Sequence, residues 1–418
     1  MGTLLRSHGL YPDMNAYLEL DWWPVGQGLF SSGLLTYDHG VVRWVYDCGT
    51  TSSNRYLESA LLDYGQEKAD SGSSAIDFAV LSHFDRDHVS GFERLVSRHP
   101  IRMVLLPYIP LWQRLVIAAE EGIAADEPLF RFFVNPAGYL LAVPGSEIRQ
   151  VIYVPAGGDD ESGGDDGGLP FTPAPEDGSS GDLKINYGEP PEDVSMSVVA
   201  KSFDDPRVRY LASRGRLVLP FWEFVPYNDA DLQFRVGASF LAAAAPLVER
   251  LRNPKRGSPA AALKKLKALY DRTFGKSSAR RNQISLFLYS GPLGQTFLAD
   301  AYPHHTGLHR RFAQLSPGDG LLDTPDRLTR MIDFYGSDTR IAKLGILQVM
   351  HHGAASSWHD GVAERLCPVS SIFCSEPTDK RYRHPHADVL RDFWSYGAVQ
   401  VDSVERFQTS LWLDIRSQ

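Results

Sequence analysis

The sequence has few cysteines and no long apolar run. Its three cysteines, Cys48, Cys367 and Cys374, are an odd number among 418 residues and lack the spacing of a disulfide framework or a zinc finger. No stretch approaches the roughly 18 apolar residues of a membrane-spanning helix, and the first residues lack the apolar core of a signal peptide. These absences predict a cytoplasmic protein with reduced thiols and no membrane partner.

The chain also lacks an excess of positive charge. Its formal net charge of -9 argues against a protein that coats nucleic acid through its overall field. Residues 157–182 carry eight acidic and no basic side chains among many Gly, Ser and Pro, so we expect an exposed, mobile loop there. In contrast, residues 252–281 carry ten Lys or Arg and one acid. Lys264, Lys265 and Lys267 flank a leucine stripe, and they form either a solvated helix face or a phosphate-binding surface.

What the sequence does contain is regular alternation of strands and helices at both ends. The apolar segment "AIDFAVLSH" precedes the helical pattern "VSGFERLVSRH", and "LGILQVM" and "VSSIFCS" precede "HPHADVLRDFWSYG". With 43% hydrophobic residues the chain can bury a sizeable core. The pattern predicts a mixed α/β (α+β) protein.

Four polar residues follow one predicted buried strand within six positions. They are His83, Asp85, Asp87 and His88 in "SHFDRDHVSG". One His and one Asp at a strand end would be read as a cap and a surface residue, but four are harder to explain in that way. Imidazoles and carboxylates that converge on one centre suit zinc, manganese or iron(II), and a divalent cation favours the ionised form of buried carboxylates.

This cluster and four further blocks resemble the metallo-β-lactamase superfamily of hydrolases. Its signature HxHxDH appears here as HxDxDH, and with the following "VSG" it is most similar to the metallo-hydrolase domain of the competence-type DNA-uptake protein ComEC. The four other blocks are "VGQG" with "VYDCG", "NQISLFLYSGPLGQTFLADA", "LQVMHHGAASS" and "RYRHPHADVL". All five blocks occur in the same order along this chain as in that domain. The resemblance covers residues 17–100 and 282–415. It implies a four-layer αββα sandwich in which each half supplies one sheet and its helices.

The resemblance also implies a centre with two divalent metals, zinc or manganese. The implied ligands are His83 and Asp85 for one metal, Asp87 and His88 for the other, and Asp300, His351 and His352. Asp300 would bridge the metals, and one of His351 and His352 would complete the second site while the other faces substrate. No His lies between His99 and Asp300, so the first site would rely on oxygen ligands and water, which favours manganese.

Further residues have implied roles around that centre. Asp47 and Asn282 would orient the ligands, and Asp87 would also accept a proton during catalysis. His384 is either a structural residue or, by the resemblance, a group that contacts phosphate or donates a proton. Pro385 after it can occupy the first position of a helix.

The leading functional interpretation is a metal-dependent phosphodiesterase or nuclease that uses a hydroxide bridging the two metals. One alternative is another hydrolase of the superfamily, acting on a lactone, a thioester or a phosphorylcholine-type ester. A second alternative is a regulated interaction protein with a structural metal site. Nucleic acid is the expected substrate partner. Residues 101–281 have no counterpart in the resemblance, so we expect an insertion beside the site mouth that could bind a protein partner.

Overall fold

Two β-sheets form the centre of the protein. The computed structural model describes residues 14–70, 75–157, 171–174, 183–191, 205–232, 236–253, 258–275, 284–293, 296–300 and 311–415. The larger sheet contains β1 (Met14–Trp22), β2 (Gly28–Tyr37), β3 (Gly40–Thr50), β4 (Ile76–Val80), β5 (Ile101–Pro107), β6 (Gln150–Val154), β9 (Tyr187–Gly188), β10 (Val208–Leu211), β14 (Thr296–Asp300) and β19 (Phe407–Ile415). The smaller sheet contains β7 (Thr172–Pro173), β8 (Lys184–Ile185), β11 (Leu217–Val218), β12 (Trp222–Asn228), β13 (Leu286–Pro292), β15 (Ala313–Ser316), β16 (Leu344–Gln348), β17 (Ser370–Cys374) and β18 (Ala398–Val401).

Each sheet combines an antiparallel part with a parallel part. The strand order of the larger sheet is β14-β19-β1-β2-β3-β4-β5-β6-β10-β9, and β3, β4, β5 and β6 run parallel to one another. The order of the smaller sheet is β18-β17-β16-β15-β13-β12-β11-β8-β7, and β15 to β18 run parallel. The carboxyl ends of parallel strands meet at one edge of a sheet, so the loops that follow them can form a common site.

The two sheets pack face to face through an aromatic core. On β3, Trp44 and Tyr46 point toward the smaller sheet while Val45 points away, as the two-residue period of a strand requires. The Trp44 ring lies 4.9 Å from the ring of Phe224 on β12, and the Tyr46 hydroxyl donates to the carbonyl of Leu286 at 2.8 Å. Burial of each such aromatic side chain contributes about 1.5–3 kcal/mol. This core fixes one sheet relative to the other.

Helices cover the outer faces of both sheets. Against the larger sheet lie α1 (Asn54–Asp70), α2 (Arg86–Val89), α3 (Phe92–Arg98), α4 (Leu111–Glu120), α5 (Phe130–Val134), α6 (Pro136–Leu141), α7 (Ala238–Arg252) and α8 (Pro259–Phe274). Against the smaller sheet lie α9 (Pro325–Tyr335), α10 (Val362–Leu366) and α11 (Ala387–Phe393). The predicted α/β class and four-layer αββα sandwich are therefore confirmed. Among helices in the described ranges, none combines the length and apolar composition needed to cross a bilayer.

The middle of the chain is continuous with the sandwich. We expected an insertion over residues 101–281, yet β5 pairs with β4 at its start and β12 pairs with β13 near its end. Local patterns predict individual strands but not which strands pair, so they could not reveal that this segment continues both sheets. The division at residues 100 and 282 stays a prediction, but neither sheet is interrupted there. Most of the predicted acidic loop, 158–170 and 175–182, lies outside the described residues.

The two halves of the chain are also less separate than we expected. β14 and β19 come from the C-terminal part of the chain, but both belong to the larger sheet with β1 to β4. β19 pairs along the whole of β1, from Met14 opposite Ile415 to Trp22 opposite Phe407. The C-terminal strand thus ties the two halves together through a backbone ladder, which no local sequence pattern specifies.

Candidate metal centre

The site lies where loops from both sheets meet. From the larger sheet comes the loop after β4, residues 81–88, and from the smaller sheet come the loops after β15, β16 and β17. All four loops follow the carboxyl ends of parallel strands. The loops after β4, β15 and β16 bring together the histidine–aspartate cluster, and the loop after β17 lies beside it. The cluster consists of His83, Asp85, Asp87, His88, Asp319, His351 and His352.

The cluster contains two groups with the spacing of metal ligands. The first group is His83, Asp85 and Asp319, and the second group is Asp87, His88, Asp319 and His352. Ligand atoms within each group lie within 4.8 Å of one another. Asp319 belongs to both, because its Oδ2 lies 3.5 Å from His83 Nε2 while its Oδ1 lies 3.1 Å from His88 Nε2. One carboxylate thus joins two sets of donors.

The inner atoms of the cluster have the environment of a cation site. The buried Nε2 atoms of His83, His88 and His352 and the buried Oδ1 of Asp319 make no hydrogen bond. A buried polar atom without a partner costs about 1–3 kcal/mol. These four atoms all belong to the two groups, so divalent cations coordinated there would satisfy them together. The donor set of imidazole and carboxylate fits zinc, manganese or iron(II).

The outer ring nitrogens of the histidines are held by the surrounding structure. His88 Nδ1 donates to Asp47 Oδ2 at 2.7 Å, and His352 Nδ1 donates to the carbonyl of Cys374 at 2.5 Å. His83 Nδ1 lies 2.9 Å from the hydroxyl of Ser82. A proton on Nδ1 leaves the lone pair of Nε2 directed at the centre, which is the tautomer that binds a metal.

Asp47 and Ser82 form a buried support beneath the cluster. Asp47 is fully buried and accepts hydrogen bonds from the Ser82 amide at 2.7 Å and the Ser82 hydroxyl at 2.6 Å, besides the bond from His88. Asp47 has φ 57°, so the backbone of β3 adopts the left-handed region to direct this carboxylate at the loop after β4. Asp47 thus holds His88 through its Nδ1, and its role in orienting a metal ligand stays a prediction.

A glycine lets the ligand loop approach β3. A Cβ on Gly49 would lie 2.6 Å from the backbone of Asp87 and 2.6 Å from that of His88. Any larger residue would therefore push away the short helix α2, which carries both side chains. The sequence "DCG" at the end of β3 thus has a packing role in the site.

The carboxylates of the cluster strongly affect each other's ionisation. Burial raises the pKa of Asp85 well above its usual value, and repulsion from Glu121 and then Asp87 raises it further. Burial opposes the ionisation of Asp319 as well, but the surrounding imidazoles outweigh it and hold the pKa of Asp319 well below its usual range. A divalent cation would relieve the repulsion at Asp85 and take the place of protons on the imidazoles.

Asp300 keeps the bridging role only as a prediction, because its side chain lies outside what the structure describes. Its backbone is on β14 at the edge of the larger sheet, opposite Trp412 of β19, and four strands separate β14 from β4. The shared carboxylate is Asp319. The block "NQISLFLYSGPLGQTFLADA", on which the prediction for Asp300 rests, spans β13 and β14, which belong to different sheets.

A signal for Asp319 was present in the sequence. "AQLSPGDG" contains β15 and then a turn with a carboxylate, which repeats the order of strand and acid in "AVLSHFDRD". Gly318 has φ 56°, and a Cβ there would lie 2.5 Å from the Ser285 hydroxyl. The glycine therefore permits the tight turn that brings Asp319 between the two groups.

The structure distinguishes the two histidines after β16. His352 is buried and its Nε2 lies 3.2 Å from Asp87 Oδ2, within the second group. His351 is about one-third exposed and its Nε2 lies 3.4 Å from Asp319 Oδ2, on the side of the first group. The side chain of Ser357 lies 2.6 Å from His351 Nδ1. His352 thus takes the inner position and His351 the outer one.

His384 lies beside the cluster without belonging to either group. Its ring centroid is 5.9 Å from that of His351 and 6.4 Å from that of His352. Burial and then the neighbouring imidazoles lower the pKa of His384 to about 4. Pro385 does not open the following helix as we expected: α11 begins at Ala387, and His386 caps it by accepting from the Asp388 amide.

The remaining predicted residues lie on α8 or outside the described ranges. Lys264 and Lys265 are exposed on α8, but Lys267 forms ion pairs with Glu120 at 2.7 Å and Asp271 at 3.3 Å. These two carboxylates compensate the charge of Lys267, which we expected to face solvent. Asn282 lies outside the described residues.

Comparisons with known proteins found one kind of similarity. No family model matches the chain, and no curated protein matches it. Among solved structures, the metallo-β-lactamase fold protein YhfI from Bacillus subtilis aligns with a TM-score of 0.33 and 9% identity, over 93% of this chain and 99% of that chain. This degree of similarity bears on neither activity nor ligands. The site is therefore interpreted from its own geometry.

Proposed function

We propose that the protein is a metal-dependent hydrolase that cleaves phosphodiesters, with nucleic acid as the substrate. The observation that carries this proposal is the position of Asp319, which joins two sets of donors whose buried inner atoms lack partners. Two divalent cations held there would offset negative charge on phosphoryl oxygens and lower the pKa of a water molecule. Zinc and manganese both suit the donor set, and the resemblance of the sequence motifs to the ComEC-like subgroup supports the substrate class.

The residues of the chain have separate tasks in this proposal. Asp319 holds the two groups together, and Asp47 keeps His88 in one orientation. Asp87 is about one-eighth exposed, with Oδ2 toward His352, so its carboxylate is accessible to take a proton from the attacking water. His384 is positioned to contact a phosphoryl oxygen at the mouth of the site.

The substrate side of the site is polar and cationic. Lys380, Arg381 and Arg383 are exposed in the loop after β17, which also carries His384. Such a surface attracts a phosphate backbone despite the net charge of -9, because local basic groups determine the contact. Lys264 and Lys265 on α8 provide a second exposed basic surface, whose contact with substrate is part of the proposal. A cytoplasmic location and a protein partner of residues 101–281 are further proposals from the sequence.

A substrate panel tests the function. Protein loaded with manganese or zinc is assayed on single-stranded DNA, duplex DNA, RNA and bis(p-nitrophenyl) phosphate, alongside a lactone, a thioester and a phosphorylcholine ester. We expect cleavage of phosphodiesters that is abolished by chelation and by Asp87→Ala. Asp126→Ala, at an exposed aspartate, is the matched control and should retain activity. Hydrolysis of only the other esters, or activity that survives Asp87→Ala, would overturn the proposal.

A further inference from the structure

The loop after β17 carries an exposed tyrosine among basic residues at the mouth of the site. We propose that Tyr382 is a stacking platform for a nucleobase next to the phosphodiester bound at the metal centre. This inference rests on the proposed function and identifies how the substrate is held. The Tyr382 side chain is 40% exposed, a large exposure for an aromatic ring.

A row of rings connects Tyr382 with the cluster. The Tyr382 ring lies 6.2 Å from the His384 ring at an angle of 27°, and the His384 ring lies 6.4 Å from the His352 ring at 19°. His352 belongs to the second group of ligands. Two ring-to-ring steps therefore lead from the metal centre to the surface. Tyr382 is therefore separated from the ligand His352 by one intervening ring, that of His384.

The loop is held in place before any substrate binds. The Asp379 side chain accepts from the Arg381 amide at 2.9 Å, and the Asp379 carbonyl accepts from the Arg383 amide at 3.1 Å. At the end of the loop, the His386 amide donates to the carbonyl of Gly353 at 2.9 Å, which ties it to the loop that carries His352. A platform ordered in advance loses less conformational entropy on binding.

The charges of the loop fit a nucleic-acid strand. The Arg381 guanidinium lies 5.3 Å from the centre of the Tyr382 ring and bonds to Asp379, so it helps to support the ring. Lys380 and Arg383 are exposed on either side in sequence and can contact phosphates. An aromatic face combined with flanking cations is the arrangement that binds single strands without regard to sequence. Arg381 is paired with Asp379, so Lys380 and Arg383 are the two cations of this loop that we expect to contact phosphates.

Equilibrium binding tests the platform separately from catalysis. A fluorescein-labelled single-stranded oligonucleotide with phosphorothioate linkages, which resist cleavage, is titrated with metal-loaded full-length protein, and fluorescence anisotropy is recorded. Tyr382→Ala should raise Kd about tenfold, whereas Tyr382→Phe should stay within about twofold of wild type. Trp394→Ala is the matched control, because Trp394 is 70% exposed but lies beyond α11, and Kd should not change.

An abasic oligonucleotide shows whether the partner of the ring is a base. Wild-type protein should bind the abasic strand about as weakly as Tyr382→Ala binds the normal strand. The Kd of Tyr382→Ala should be the same for the abasic and the normal strand. The double variant Lys380→Gln with Arg383→Gln should reduce the slope of log K against log salt by about 1.4, because two phosphate contacts to a single strand are lost.

The outcomes separate this inference from the proposed function. Binding that depends on Tyr382 and on the bases, without cleavage of any phosphodiester, would support the platform and refute the nuclease activity. Cleavage with unchanged Kd in Tyr382→Ala would refute the platform alone. An equal loss of affinity in Tyr382→Ala for the normal and the abasic strand would also refute the platform, because the ring would then contact the backbone.

Discussion

Replacement of Asp319 by asparagine tests the shared carboxylate directly. The substitution keeps the size of the side chain but removes its negative charge and one oxygen donor. In the structure, Oδ1 of Asp319 lies 3.1 Å from His88 Nε2, and Oδ2 lies 3.5 Å from His83 Nε2. Because each oxygen faces a different group, both metal sites lose an anionic ligand at once.

The size of the effect follows from that double role. Loss of a hydrogen-bonding partner outside the ligand set already costs roughly 10- to 100-fold in metal affinity. Loss of an ionised ligand should therefore cost at least about 100-fold for each ion, or about 3 kcal/mol. We expect purified wild-type protein to carry close to two divalent ions and Asp319→Asn to carry fewer than half as many after gel filtration.

Metal analysis by mass spectrometry and calorimetric titration of the metal-free proteins would measure this. Asp300→Asn is the matched control, since the backbone at Asp300 lies on the edge strand β14, and it should bind metal like wild type. Circular dichroism establishes that both variants fold. Full metal content in Asp319→Asn, combined with loss in Asp300→Asn, would refute the assignment of the shared ligand.

Three further predictions concern the support of the site and the pH dependence of stability. Asp47→Asn should weaken metal binding about 10- to 100-fold, because His88 loses its charged partner. Gly49→Ala should lower the free energy of unfolding by about 2–3 kcal/mol and reduce metal content, because its Cβ would meet the backbone of Asp87. Burial lowers the pKa of His99 to about 4, so stability should fall as the pH drops from 6.5 to 4, and His99→Gln should reduce that loss by about 1–2 kcal/mol after solvent screening.

Urea unfolding and metal titration check these expectations. Gly157→Ala is the control for Gly49→Ala, since the nearest atom to its Cβ would be Phe334 at 3.9 Å. Equal effects of the two glycine substitutions would contradict the packing argument. For His99, the wild-type protein and the variant are compared across the pH range, and identical pH dependence would contradict the buried neutral imidazole. If metal affinity were unchanged in Asp47→Asn, the orienting role predicted for Asp47 would be wrong.

Residues close together in sequence were the easiest part of the site to predict. His83, Asp85, Asp87 and His88 lie in one loop after a buried strand, so their spacing alone brings them together. Asp319 was missed because it approaches them only through the packing of the smaller sheet against the larger one. Its turn had a weak pattern of two glycines around one acid, which occurs in many surface loops.

The same distinction applies to the substrate side of the site. The high density of basic residues on α8 suggested a phosphate-binding surface. In the structure, Glu120 from another helix pairs with Lys267 and offsets its charge. Tyr382 lies in the block "RYRHPHADVL", but the sequence assigned no role to it. Only the tertiary structure shows that its ring lies beside that of His384, which in turn lies beside that of His352.

The sequence by itself determined the α/β class, the buried strands and the local cluster of ligands. These features could be predicted because hydrophobic periodicity, apolar runs and short spacing are properties of neighbouring residues. The tertiary structure alone showed that Asp319, in the turn after β15, joins the two groups, because the smaller sheet must pack against the larger one to bring it there. It also decided that residues 101–281 extend both sheets, because strand pairing depends on contacts between segments far apart along the chain.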